Sequence, residues 1–181
     1  MKNNMKKRTI MIFPQFENLN VINEIREKYD PLANHVSPHI TLVFTFESSL
    51  TSIEIKEHLV EVLEGTRRFT LTLQGIINID NPLGRYLFLD IKHGNEQIKE
   101  LSKKLYTGIL ENYKPAWLSE KTFMPHMTIG SFTSKEDLNV AFKDTELVKE
   151  NFTTTVDKIS VEIIDENEDS IIEVEVALNN S

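Results

Sequence analysis

Two short stretches of this chain are near copies of each other. Ser37-Pro38-His39-Ile40-Thr41-Leu42 and Met124-Pro125-His126-Met127-Thr128-Ile129 share Pro, His, Thr and a closing aliphatic residue, and their histidines stand 87 positions apart. With 6 prolines and 5 histidines in 181 residues, composition alone gives a histidine this Pro and Thr context with probability roughly 0.003. Two such sites arise by chance on the order of one time in ten thousand. The repeat therefore constrains the fold: each copy should occupy the same place in one of two similar runs of elements.

The surrounding pattern has that form. Arg8 to Phe13 is β-branched and apolar, as a first strand would be. Asn18 to Tyr29 spaces Leu19, Ile22 and Ile25 for a helix that Asp30-Pro31 stops. Pro38 opens a strand, His39 to Phe46; Thr51-x-x-Glu54 is a capping box for a helix ending near Gly65, and Phe69 to Ile79 reads as a strand. After the turn Asn81 to Gly84 the order repeats. The strand Tyr86 to Ile91 leads to a helix capped by Asn95, with a stripe of Ile98, Leu101, Leu105 and Ile109. A strand His126 to Phe132 follows, then a helix capped by Ser134 and a strand Phe152 to Ile164. Ile171 to Leu178 closes a hairpin across the acidic turn Asp165 to Asp169.

The expected fold class is α+β: bilobal and internally duplicated, with two mostly antiparallel sheets, helices on their outer faces and a central cleft. One domain is expected over 8–178, built of lobe-forming repeats at about 8–79 and 85–164 with a final strand 171–178. Residues 1–7, rich in Lys and Asn, read as a flexible leader.

Composition narrows the chemistry. The net charge of −8 supplies no field for a long polyanion, so duplex DNA is not an expected partner. A small nucleotide or an RNA terminus needs only a few local cations. The absence of cysteine removes thiolate nucleophiles, disulfides and Cys-based metal sites. The apolar run Ile10 to Phe13 ends at Pro14 and is too short for a signal segment or a membrane span, so a cytoplasmic protein is expected.

On a strand, residues i and i+2 share a face, so His39 lies beside Thr41 and His126 beside Thr128, opposite Ile40, Leu42 and Phe44 and opposite Met127 and Ile129. Imidazole titrates near pH 6.5 and serves as either acid or base at neutral pH. Two imidazoles flanking a phosphodiester can take a proton from the attacking oxygen and give one to the leaving oxygen. The two threonine hydroxyls can donate to the non-bridging oxygens. That scheme uses no metal and no cofactor.

The paired motif resembles that of the two-histidine (2H) phosphoesterase superfamily, also called the 2′-5′ RNA ligase-like proteins. The resemblance extends from Arg8 to Leu178 and looks closest to bacterial members, with Tyr29-Asp30-Pro31-Leu32-Ala33 before the first motif also similar. It implies a bilobal fold, catalytic roles for His39, Thr41, His126 and Thr128, and metal-independent chemistry on cyclic or 2′-5′ linked nucleotides or RNA ends. Reversible 2′-5′ RNA joining and non-catalytic binding of a nucleotide or RNA end are the alternatives. Some relatives place a cation soon after the motif. Here Val43 and Phe44 follow the first and Gly130 and Ser131 the second, which leaves the phosphate-neutralising cation unassigned. Lys121 and Arg85 are candidates for phosphate contact and Trp117 for base stacking. His35 stands four residues before His39, a spacing that would suit zinc on a helix, but Pro38 disrupts that helix, so no metal site is expected; His58 and His93 read as surface or packing residues.

Overall fold

Eight strands of the computed structural model, which describes residues 5–180, form two four-stranded antiparallel sheets. In chain order the elements are β1 (Lys6–Ile12), α1 (Leu19–Tyr29), β2 (Ile40–Ser48), α2 (Ser52–Val62), β3 (Phe69–Asn81) and β4 (Gly84–His93). These continue as α3 (Asn95–Leu105), a 3-10 turn (Gly108–Tyr113), β5 (His126–Phe132), α4 (Lys135–Thr145), β6 (Phe152–Val156), β7 (Lys158–Ile164) and β8 (Ser170–Ala177). One sheet has the order β2-β1-β7-β8 and the other β5-β4-β3-β6. β2, which His39 immediately precedes rather than opens, and β5, which His126 begins, are thus edge strands, and they lie against each other where the sheets meet.

The sheets do not coincide with the chain halves 8–79 and 85–164. β3 leaves the first half to pair with β4 and β6, and the first sheet is completed instead by the β7-β8 hairpin. The reason is local: Asn81 pairs with Gly84 around a two-residue turn, and the Asn81 side chain accepts the Leu83 N–H at 2.9 Å. A hairpin that tight satisfies the β3 backbone before any distant strand can.

Three further boundaries differ from the sequence pattern. The expected strand 152–164 breaks at Asp157, where the chain passes from β6 in one sheet to β7 in the other. The Asp157 carbonyl accepts the Leu178 N–H at 2.7 Å, and no Gly or Pro marks the break. Gly94, at φ 96°, rather than Asn95, occupies the N-cap of α3, and α3 stops at Leu105, which leaves Ile109 in the 3-10 turn and 40% exposed. Lys6 and Lys7, expected in a leader, belong to β1; of the rest of that leader, Met5 is exposed ahead of β1 and residues 1–4 lie outside the described residues.

α1 and α3 are exchanged between the sheets. α1 connects β1 to β2 but packs on β5, whereas α3 connects β4 to β5 but packs on β2. α2 packs on β8, and α4 on β3, β4 and β5. The α2 start has both halves of the capping box, with the Glu54 N–H donating to Thr51 and the Thr51 N–H donating to Glu54. Among the described residues, no helix is long and apolar enough to cross a membrane.

Candidate active site

Both histidine strands carry the same irregularity. Met11 pairs with Thr41 and Ile10 with Val43, so Leu42 is the extra residue of a β-bulge. Phe88 pairs with Thr128 and Leu87 with Gly130, so Ile129 is the extra residue of a second bulge at the equivalent position. A bulge breaks strand alternation and re-aims the side chains beyond it. Leu42 and Val43 are accordingly both buried, and Phe44, expected on the apolar face, turns to line a cavity of about 270 Å3 with His39 and Thr41.

The two imidazoles are held alike. His39 Nδ1 lies 2.9 Å from the Ser37 carbonyl and His126 Nδ1 lies 2.7 Å from the Met124 carbonyl. A carbonyl only accepts, so each Nδ1 carries a proton and Nε2 is the nitrogen left for chemistry. Loss of surrounding water is the main influence on both rings and pushes both pKa values below the ordinary imidazole range. The carbonyl contact works against that shift in each case. Charge on His39 further lowers His126, which places the two rings within electrostatic reach.

Their supports differ. Phe88 stacks on the His126 ring, with centroids 3.6 Å apart and planes at 17°, and Tyr86 stacks in turn on Phe88. His39 has only a tilted contact with Phe13 at 6.1 Å. The loop that delivers His39 is fastened by Arg26, a buried residue of α1. Its guanidinium donates to Asp30 at 2.8 Å and to the Val36 carbonyl at 2.9 Å. Because α1 packs on β5, one helix supports the His126 strand and fastens the loop leading to His39.

The remaining candidates separate. Trp117 is 49% exposed and stands edge-on at 4.9 Å to Phe44, which lines the His39 cavity. Lys121 lies on the exposed surface of the same loop. Arg85 alternates with Tyr86 and Phe88 and so points to the other face of β4, where it pairs with Asp80 at 3.1 Å and donates to the Thr133 carbonyl at 3.2 Å. It ties strands together rather than meeting the histidines. His35 pairs with Asp169 at 2.8 Å, and His58 is buried with Nε2 3.1 Å from the Leu105 carbonyl.

The cation lining the His39 cavity is Lys7, with Thr9, Thr45 and Glu162. Strand alternation could have found it. Lys6 pairs with Glu173, and its neighbour Lys7 therefore faces the side shared by Thr9 and Met11.

The chain is similar to known proteins in sequence and in fold. A Bacillus licheniformis chain named as a phosphoesterase is 29% identical over 129 residues, covering 71% of this chain and 72% of its own. A Bacillus pumilus chain of the same designation is 26% identical over 150 residues, covering 82% and 84%. Among solved structures, E. coli LigT complexed with 3′-AMP matches with a TM-score of 0.64 at 18% identity, over 97% of this chain and 99% of that one. Usb1 of Kluyveromyces marxianus with uridine monophosphate matches with a TM-score of 0.52 at 11% identity, over 97% and 99%. Residues 13–168 match the family described as the 2′-5′ RNA ligase superfamily, and this chain, with its paired motifs on abutting edge strands, belongs to it.

Proposed function

We propose that the protein is a metal-independent phosphodiesterase acting on a small cyclic or 2′-5′ linked nucleotide or an RNA terminus. One observation carries this reading: two imidazoles with the same Nδ1 anchor stand at the starts of two abutting edge strands, His39 immediately before β2 and His126 at the first position of β5. With a 2′,3′-cyclic phosphate, the neutral histidine takes a proton from water as the water oxygen bonds to phosphorus. The protonated histidine gives its proton to the ribose oxygen as that P–O bond breaks. Water is added, and a proton passes in net from one histidine to the other. Thr41 and Thr128 donate to the non-bridging oxygens, where charge changes most. The imidazoles supply both proton transfers, so the step asks for no metal.

Trp117 is suited to stack a base at the cleft border, and relatives of this fold have been observed with 3′-AMP and uridine monophosphate. The same groups run the joining reaction in reverse, and the family name favours testing it: 2′,3′-cyclic and 5′-hydroxyl RNA ends supplied together report ligation. Hydrolysis is tested with the full chain in EDTA on 2′,3′-cyclic nucleotides and 2′-5′ dinucleotides. Turnover is expected, and His39→Ala or His126→Ala should each lower it by at least about 100-fold. Undiminished turnover in either variant would overturn the mechanism.

A further inference from the structure

The cleft is pseudo-symmetric in backbone and asymmetric in chemistry. Met11 faces Thr41 as Phe88 faces Thr128, so the equivalent cleft-side positions are Lys7, Thr9 and Met11 on β1 and Gly84, Tyr86 and Phe88 on β4. The His126 side is an aromatic stack. The His39 side is a charged pocket: Lys7 and Glu162, the hydroxyls of Thr9 and Thr45 bonded to each other at 2.9 Å, and Glu168. Glu162 is 4% exposed and held by the Ser170 hydroxyl, so its carboxyl is a fixed feature of the floor.

From this composition we infer that the pocket beside His39 is a nucleobase subsite that reads the Watson–Crick edge of guanine. The inference rests on the phosphodiesterase reading for the placement of the phosphate at the histidines. Two carboxyl groups beside one ammonium disfavour a second phosphate next to the one at the histidines and favour an uncharged occupant. They complement an edge with one acceptor and two adjacent donors. Guanine has that edge: O6 accepts from Lys7, while N1–H and the 2-amino group donate to a carboxylate. Adenine and cytosine each offer one donor group there. Met11, Leu32 and Val36 supply apolar walls. A volume of about 270 Å3, shared with His39 and Thr41, lies just under the range of pockets that enclose a whole drug-sized ligand and so takes no more than one base beside the phosphate. Lys7 lies four residues along β1 from Met11, the partner of Thr41, or roughly 13 Å at the strand rise. A nucleotide spans a comparable distance from its phosphate to the far edge of its base.

The test is equilibrium binding of 3′-GMP, 3′-IMP, 3′-AMP and 3′-CMP to the full chain by calorimetry, beside turnover of the matching 2′,3′-cyclic forms. 3′-GMP should bind at least about tenfold more tightly than 3′-AMP or 3′-CMP. 3′-IMP, lacking the 2-amino group, should lose part of that advantage. Lys7→Met and Glu162→Gln should each bring the ratio of GMP to AMP affinity towards one. The inosine comparison needs no variant and decides the matter should E162Q fail to fold. Turnover with equal affinity for all four bases would overturn the base pocket and leave the phosphodiesterase reading standing. Guanine-selective binding without turnover would do the reverse.

Discussion

The Ser102 hydroxyl donates a 2.7 Å hydrogen bond to the carbonyl of Leu42, the bulged residue directly after the first motif threonine. One helical turn later, the Tyr106 hydroxyl accepts the Phe44 N–H at 2.8 Å. α3 thus takes the place of the neighbour strand that edge strand β2 lacks. Burial pushes the Tyr106 phenol up to about 12, which keeps it neutral at working pH. Replacing Ser102 by Ala leaves a buried carbonyl without its donor and should cost about 1–3 kcal/mol in urea unfolding. A change under about 0.5 kcal/mol, typical of a surface substitution, would show that the contact contributes nothing.

Gly130 brings α1 onto β5. A Cβ there would lie 3.2 Å from the Tyr29 Cβ and 3.0 Å from the Phe132 ring, with no unusual φ to require glycine. Gly130→Ala should therefore destabilise by overpacking, about 1–3 kcal/mol, and lower kcat by shifting the His126 strand against the helix that fastens the His39 loop. Unchanged thermal stability would mean that α1 moves away without cost.

Both imidazoles titrate below their ordinary value, chiefly because water is excluded around them. A mechanism needing one neutral and one protonated histidine then has its free-enzyme optimum shifted to the acid side of about pH 6.5. The kcat/KM profile should be bell-shaped with its maximum there. A maximum above pH 7.5 would contradict the assignment of both limbs to these histidines.

Thr41→Val and Thr128→Val keep side-chain volume and remove only the hydroxyl. If those hydroxyls meet the non-bridging oxygens where charge develops, kcat should fall by about 10- to 1,000-fold. A rise in KM alone would assign them to ground-state binding instead.

Arg8, fully buried, donates to Glu173 at 2.6 and 2.9 Å, and Ser52 and Lys6 also reach that carboxylate. The Arg8 contact is the largest of the influences that hold the Glu173 pKa at about 2. The stability this depressed carboxylate confers is complete above its unfolded pKa of about 4.3 and is lost as pH falls towards 2. Glu173→Gln should cost about 3–5 kcal/mol near neutrality by stranding a buried guanidinium. It should also flatten the acid limb of a thermal-unfolding series between pH 5 and 2; an unaltered acid limb would remove Glu173 from that role.

Most element types were legible because their signals are local. Period-two and helical spacing, the Thr51 and Glu54 box and the Asn81 to Gly84 turn all act within a few residues. Asn95 was misread as a cap because Asn commonly fills that position, whereas here Gly94 supplies a positive φ. Arg85 opens the strand after the Asn81 to Gly84 turn, but that position does not tell which face of the sheet its side chain takes, and the structure puts it with Asp80 and Thr133. Lys7 lines the His39 cavity because it belongs to β1 rather than to a leader.

The sequence by itself determined the repeat and which side chains carry the proposed chemistry. His39 with Thr41 and His126 with Thr128 are fixed by period-two geometry, and their matching contexts require matching places in the fold. Only the tertiary structure decided which strands share a sheet, that α1 and α3 trade partners, and that Leu42 and Ile129 both bulge. These outcomes depend on backbone hydrogen bonds between residues far apart in the chain. No local pattern of side chains records which distant N–H or carbonyl will be satisfied by which neighbour.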